Sequence, residues 1–128
     1  MTPRLISCSR CGRIHPVNAC PCKREPETKP TAERRFRSTK RWTATSILIR
    51  KRDRYLCAAC EHMQPPRYTT QRLQVHHIVP IKDAWRKRLD PANLITLCPV
   101  CHELAERGDI PAELLRTWAA EANEREGL

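Results

Sequence analysis

Residues 98–102 read CPVCH, and this stretch decides how the chain is organised. Cys98 stands where a helix would be capped, Pro99 suits the first helical turn, and Gly108 suits a C-terminal stop. The pattern therefore predicts a helix whose body is VCHELAER. On such a helix the two cysteines share one face, whereas His102, about 100° further round the axis, is turned toward another.

A second cysteine pair, CAAC at residues 57–60, is separated from Cys98 by 37 residues. Two such pairs are typical of a closed, tetrahedral structural zinc site. The alternative is a set of disulfides, which a reducing cytosol disfavours. We expect one zinc ion bound by four thiolates, those of Cys57, Cys60, Cys98 and Cys101.

Between the two pairs lies a β-prone run that ends at a proline, LQVHHIVPI at residues 73–81. Neighbouring side chains on a strand point to opposite faces, so His76 and His77 cannot serve the same surface. A second β-prone piece, NLITL, begins at Asn93. Residues 68–71 are also β-prone, and we expect them to pair with the histidine run as a hairpin. The segment predicts a strand, loop, strand and helix that bring the histidines together.

The motifs HHIVP, Asn93 followed by leucine, and CPVCH occur in this order, and together they resemble the three signatures of the HNH endonucleases. The resemblance covers about residues 42–108, and the approach RDRYLCAAC looks like that of small phage and prophage members. It implies a small, zinc-stabilised α+β domain with a ββα-metal core and flanking helices. The implied activity is metal-dependent hydrolysis of DNA, leaving 5′-phosphate and 3′-hydroxyl ends.

The resemblance also implies a role for each matching residue. His76 and His102 would bind one catalytic divalent ion, and His77 would be the general base. Asn93 would hold the loop that carries His77. A neutral imidazole suits the removal of a proton from water, and a divalent ion with open positions suits the developing charge on phosphate. We expect the surrounding positive charge to help keep His77 neutral.

Many members of this family have an aspartate where His76 stands. A pair of nitrogen ligands is softer, and we expect it to accept Mn²⁺, Ni²⁺, Co²⁺ or Zn²⁺ better than a carboxylate site would, with Mg²⁺ still usable. Glu106, one turn after His102, could be a further ligand. The alternative is a solvated surface glutamate beside Arg107.

The remaining chain divides by composition into three segments around a nuclease domain at residues 42–108. Residues 1–22 predict a Cys-rich module with a second zinc ion, in which His15 could replace one thiolate, or else unpaired surface thiols. Its candidate ligands are Cys8, Cys11, Cys20 and Cys22. Residues 23–41 read as a basic linker or arm. Residues 109–128 predict an amphipathic helix, from about Pro111 to Glu124, that packs on the domain through Leu114, Leu115, Trp118, Ala119 and Ala122.

The formal net charge of +10 is unevenly placed. Residues 23–55 hold twelve Lys and Arg against four Asp and Glu. Such a block favours a polyanionic partner, most simply DNA, although a solvated linker would look the same. Candidate phosphate contacts are Arg50, Lys51, Arg52, Arg54, Arg86, Lys87 and Arg88.

No apolar run of signal-peptide or membrane-span length occurs, so we expect a cytoplasmic protein. By analogy with phage members, terminase and portal proteins are candidate partners in genome packaging. The competing interpretation is a non-catalytic zinc-finger protein that binds nucleic acid. That alternative gives no purpose to the three histidines outside the cysteine cage.

Overall fold

The computed structural model describes residues 4–9, 12–17 and 31–128. Within these ranges the chain forms two antiparallel strand pairs and five α-helices. Their bounds are β1 Leu5–Ser7, β2 Ile14–Pro16, α1 Ala32–Arg37, α2 Lys40–Arg52, α3 Ala58–Glu61, β3 Gln74–His77, β4 Leu94–Leu97, α4 Pro99–Glu106 and α5 Ala112–Glu126. Two short 3₁₀ turns, Trp85–Lys87 and Pro91–Asn93, lie in the loop between β3 and β4.

The centre of the fold is a β-β-α unit, as the motif order predicts. Strand β3 pairs antiparallel with β4, and His76 lies opposite Ile95 while His77 lies opposite Leu94. All four residues of β4 are buried. Helix α4 follows at once, with Cys98 as its N-cap residue and Pro99 in its first turn. Gly108 adopts the left-handed φ of +80° that suits a residue just beyond a helix end.

The hairpin expected from residues 68–71 is wrong, because those residues form no strand. Their backbone is tied instead to the first cysteine pair: Cys57 N–H donates to Thr69 O at 3.0 Å, and Arg67 N–H donates to Cys60 O at 2.8 Å. Strand β4 takes the place beside β3 because its continuous apolar run can be buried, whereas Tyr68 is 68% exposed.

The core surrounds the four cysteines and is closed by α5. Leu115, Ala119 and Ala122 are the buried residues of that helix, and Trp118 is half-buried, as predicted. Leu114 is 41% exposed and lies off the packed face, which corrects its predicted position. Helix α5 therefore packs on the domain by a narrower apolar stripe than the sequence suggests.

The predicted basic arm is partly folded. Residues 32–37 form α1, capped by the side chain of Thr31, and α2 begins at Lys40. Phe36 anchors α1: it is 6% exposed, and its ring centroid lies 5.4 Å from that of Trp42. The part of this basic segment that the structure describes is therefore largely helical, while residues 23–30 lie outside the described ranges.

Near the N-terminus the structure describes a hairpin, with Leu5 opposite Pro16 and Ser7 opposite Ile14. His15 on this hairpin is buried, and its Nδ1–H donates to Pro16 O at 2.7 Å. Of the four cysteines expected to form a second zinc site, Cys8 is described and the other three, Cys11, Cys20 and Cys22, lie outside the described residues. The second site stays a prediction.

None of the helices in the described ranges has both the length and the apolar character needed to cross a membrane.

Candidate functional site

The four cysteines of the two Cys-x-x-Cys pairs lie together in the core. Cys60 Sγ lies 3.8 Å from Cys98 Sγ and 3.6 Å from Cys101 Sγ, and all four sulfur atoms lie within 4.8 Å of one another. A tetrahedral zinc ion with Zn–S bonds of about 2.3 Å places its sulfurs about 3.8 Å apart, so the cage fits this ion. These sulfur–sulfur distances are those expected around a zinc ion and are too long for a disulfide bond.

The electrostatics of the cage also call for a cation. Burial raises the pKa of the Cys57 thiol to about 11, and burial together with the charge of Cys57 raises the pKa of Cys101. Four thiolates cannot be ionised together at neutral pH in such a place without a compensating positive charge. Together with the sulfur spacing, this indicates that the cage is a structural metal site.

A second cluster of metal-ligand atoms lies outside the cage. His102 Nε2 is 3.3 Å from Glu106 Oε1, and His76 Nδ1 is 4.0 Å from the same oxygen. The rings of His76 and His102 lie 4.9 Å apart, at 72° to one another. One ligand atom from each of the three residues lies within 4.8 Å of the other two, which is close enough for all three to bind one divalent ion.

Strand and helix geometry explain this convergence. His76 projects from β3 toward α4, and on α4 the residues at positions i and i+4, His102 and Glu106, lie one turn apart on the same face. His76 is buried, whereas His102 is half-buried and Glu106 is 60% exposed at its side chain. The cluster thus has a protein-covered side and a solvent side on which a substrate can approach.

His77 lies in a different environment, on the other face of β3. Its ring stacks on Trp42 at 4.9 Å with an interplanar angle of 26°, and the ring of Phe36 meets it edge-on at 6.2 Å. His77 Nε2–H donates to the Arg88 carbonyl at 3.0 Å. Because a carbonyl only accepts, this contact leaves the neutral ring with its lone pair on Nδ1, which has no hydrogen-bond partner among the described residues.

The surroundings of His77 favour the neutral ring. Burial is the main cause that lowers its pKa, and the charge of Arg37 lowers it further, while the hydrogen bond to Arg88 O opposes both. Positive charge therefore contributes as expected, but burial outweighs it. Burial also lowers the pKa of His76 to about 4; the charge of His102 lowers it further, and Glu106 opposes both.

Asn93 ties together two chain segments that follow His77. Its Oδ1 accepts from Val79 N–H at 2.8 Å, and its Nδ2 donates to Val79 O at 3.2 Å and to Lys87 O at 3.4 Å. Its own carbonyl accepts from Ile78 N–H at 2.8 Å. Asn93 is 4% exposed, so these contacts are shielded from water and fix the path of the chain directly after His77.

Arg52 is not available for a phosphate, which corrects its predicted role. Its guanidinium is buried and donates to Asp53, to the carbonyls of Pro91 and Leu94, and to Asn123 Oδ1. Arg52 thus clamps the backbone on both sides of Asn93. The sequence alone made it look like one of several solvated charges in RKRDR.

The other six basic candidates are less enclosed. Lys51, Arg54, Arg86 and Lys87 are exposed, although Arg54 forms an ion pair with Glu61. Arg50 is half-buried, with Nη2 3.4 Å from Leu73 O. Arg88 is half-buried beside Trp85.

Two features were underestimated from the sequence. Glu106 joins the histidine cluster, and its signal was the four-residue spacing from His102 on a predicted helix. The packing of Phe36 and Trp42 on His77 had no local signal, because these residues precede it by 41 and 35 positions.

Comparisons with known proteins agree with the geometry. Residues 57–108 match the family model described as HNH endonuclease. A protein described as a probable HNH endonuclease, from Lactococcus phage SK1, is 34% identical over 67 residues. That alignment covers 49% of this chain and 66% of the phage protein, just under two thirds of its length. No solved structure shows significant similarity to the chain.

Proposed function

We propose that this chain, which belongs to the HNH endonuclease family through residues 57–108, is a metal-dependent endonuclease that hydrolyses DNA phosphodiester bonds. The observation that supports this best is the His76, His102 and Glu106 cluster, whose ligand atoms converge outside the cysteine cage. A zinc finger that only binds nucleic acid has no use for such a cluster, nor for an enclosed, neutral histidine beside it.

In the proposed reaction, His77 is the general base. Its Nδ1 accepts a proton from the attacking water while Nε2–H stays bonded to Arg88 O, which holds the ring in the required tautomer. The water oxygen forms a bond to phosphorus and the bond to the 3′-oxygen breaks. That oxygen takes a proton from solvent and leaves as a 3′-hydroxyl, and the other product carries the 5′-phosphate. Asn93 is a positioning residue, since it fixes the chain after His77 without facing the substrate.

A divalent ion held by His76, His102 and Glu106 would supply Lewis-acid stabilisation of the charge on phosphate and leaving oxygen. Two nitrogens and one carboxylate oxygen form a borderline donor set, harder than the histidine pair expected from sequence alone. We therefore propose that Mg²⁺ and Mn²⁺ are used as well as Ni²⁺ and Zn²⁺.

The basic surface is proposed to position DNA without choosing a sequence, with Lys51, Arg86 and Lys87 as exposed phosphate contacts. The nuclease unit is proposed at residues 42–108, with residues 109–128 as its covering helix. The Cys-rich module at residues 1–22 is proposed to bind a second structural zinc ion. In His102→Ala protein, whose proposed catalytic site lacks a ligand, a measured ratio of two zinc ions per chain would support this and a ratio of one would refute it. Terminase and portal proteins are not part of the proposal, because no observation on the described residues supports them.

The experiment that tests the function is digestion of supercoiled plasmid with each of Mg²⁺, Mn²⁺, Ni²⁺, Co²⁺ and Zn²⁺. Wild-type protein should convert the plasmid to nicked or linear forms. His77→Ala should slow the conversion by about 100-fold or more, the usual contribution of a general base. His62→Ala is the matched control, because His62 stacks on Trp118 and not at the site.

Undiminished cleavage by His77→Ala would refute the mechanism. Salt-sensitive DNA binding with no cleavage under any of the five ions would favour the zinc-finger alternative instead.

A further inference from the structure

A groove beside the proposed active site combines an aromatic floor with a cationic rim. Its volume is about 390 Å³, and its walls are mostly apolar. Phe36 and Trp85 contribute the rings, and Arg35, Arg41 and Arg88 contribute the charges. Among the described residues, no carboxylate lines it. A small, flat, apolar ligand with negative charge at its edge would complement such a surface.

The rings and the guanidinium form a stacking surface. Phe36 and Trp85 meet edge-on, with centroids 5.9 Å apart at 65°. The guanidinium of Arg88 lies 4.4 Å from the centroid of Trp85 and 5.6 Å from that of Phe36. Trp85 remains 43% exposed even so. An exposed indole beside a planar cation is the arrangement on which proteins stack unpaired bases.

The groove adjoins the proposed general base through two of its wall residues. The ring of Phe36 contacts His77 on one side and lines the groove on the other. The main-chain carbonyl of Arg88 holds His77 Nε2–H, and the side chain of the same residue lines the groove. A ligand in the groove would therefore contact Phe36 and Arg88, the two residues that also contact His77.

We propose that this groove takes the base of one unpaired nucleotide of the DNA substrate, with the flanking phosphates on Arg35 and Arg41. The volume falls within the range of about 300–1,000 Å³ that small-ligand pockets occupy. Charge complementarity favours a nucleotide, because the three arginines attract an anion and no described carboxylate neutralises them, while the aromatic floor requires a flat apolar body. The inference rests on the proposed nuclease function and specifies its substrate class: DNA with bulged, gapped or single-stranded nucleotides.

The test compares two labelled oligonucleotides, a full duplex and the same duplex with one bulged 2-aminopurine, by fluorescence anisotropy with no divalent ion added. Wild-type protein should bind the bulged duplex about tenfold more tightly, a typical effect of one stacked base. The emission of 2-aminopurine should fall on binding, because stacking on an aromatic ring quenches it. Trp85→Ala should abolish both the preference and the quenching, and Trp85→Phe should keep part of each.

Tyr68→Ala is the matched control: it removes a ring that is 68% exposed and does not line the groove, so both readouts should be unchanged. Because Trp85 packs on Phe36, its removal could disturb α1. Arg35→Glu supplies an independent variant, since this exposed arginine forms no ion pair among the described residues and its reversal should also erase the preference.

Equal affinity of the wild type for the two oligonucleotides would overturn the proposal, as would a preference and quenching that survive Trp85→Ala. Weaker binding of both oligonucleotides by Arg35→Glu without any wild-type preference would show a plain phosphate site and would also overturn it. Binding is measured without cleavage, so a preference found together with inactivity under all metals would sink the nuclease function and not the groove.

Discussion

Replacing Arg52 with alanine should destabilise the fold. Replacing its exposed neighbour Lys51 with alanine should change the free energy of unfolding very little. The Arg52 side chain has 0% exposure, and its guanidinium holds Asp53, two main-chain carbonyls and Asn123. Asp53 is 4% exposed, so alanine would leave its carboxylate buried and without its counter-charge. Breaking a buried pair by removing one partner costs about 3–5 kcal/mol.

The Arg52→Ala change should also disturb the geometry of the proposed active site. The two carbonyls that Arg52 holds, those of Pro91 and Leu94, lie on either side of Asn93 in the chain, and Asn93 fixes the segment after His77. The main chain of Arg52, at the C-terminal end of α2, is held as well, because Arg125 Nη2 donates to Arg52 O at 2.9 Å. Cleavage per folded molecule should therefore fall in Arg52→Ala even under conditions in which the variant is still folded.

The assay is urea unfolding of zinc-loaded protein followed by circular dichroism, with the same samples tested for DNA binding and cleavage. Lys51→Ala is the matched control and should change the free energy of unfolding by no more than about 0.5 kcal/mol. The double variant Arg52→Ala with Asp53→Ala should be less destabilised than the sum of the single variants, because the unpaired charge is then gone. If Arg52→Ala unfolds at the same urea concentration as Lys51→Ala but binds DNA more weakly, Arg52 is a phosphate contact after all and the reasoning fails.

Three further changes test other parts of the molecule. Cys101→Ser should release the structural zinc and unfold the domain, measured as zinc content and loss of helical signal, because binding of such an ion is part of the folding free energy; a folded, zinc-loaded variant would contradict the four-thiolate cage. Glu106→Gln should weaken divalent-ion binding by about tenfold or more in calorimetric titration, whereas Glu103→Gln, exposed on the same helix, should leave it unchanged; equal affinities would remove Glu106 from the ligand set. Asn93→Ala should cost about 1–3 kcal/mol of stability through the unpaired main-chain groups it leaves. It should also lower kcat more than it raises KM, and a variant with wild-type kcat would show that Asn93 does not position His77.

The features that could be predicted from sequence have short-range causes. The start and end of α4 follow from Cys98, Pro99 and Gly108, whose preferences are set by the backbone of one or two helical turns. The cysteine cage follows from the chemistry of thiolates at a known spacing. Once that cage joins β4, α4 and the first cysteine pair, His76 and His102 have little freedom to be elsewhere.

What could not be predicted depends on which surfaces compete for burial. Residues 68–71 and 94–97 have similar β propensity, yet only the second is apolar enough to lie between β3 and the helices. Propensity describes a local preference, and the choice of strand partner is made by the core. Arg52 is the sharper case, because its partner Asn123 is 71 residues away and no local pattern distinguishes a clamped arginine from a solvated one.

The alternation of side chains along β3 explains why the two neighbouring histidines need different parts of the chain. The face that carries His76 is completed by α4, which lies inside the region that matches the family. The face that carries His77 is completed by Phe36 and Trp42, which lie before that region. Burial by these two rings contributes to the lowered pKa of His77, so the protonation state of the proposed base depends on α1 and α2. A segment limited to residues 57–108 would keep the four cysteines of the cage and the His76, His102 and Glu106 cluster, but it would lose both the aromatic cover of His77 and the arginine clamp on Asn93. We therefore propose that the nuclease unit of residues 42–108 needs α1 as well, so that the functional unit begins no later than Thr31, which caps α1.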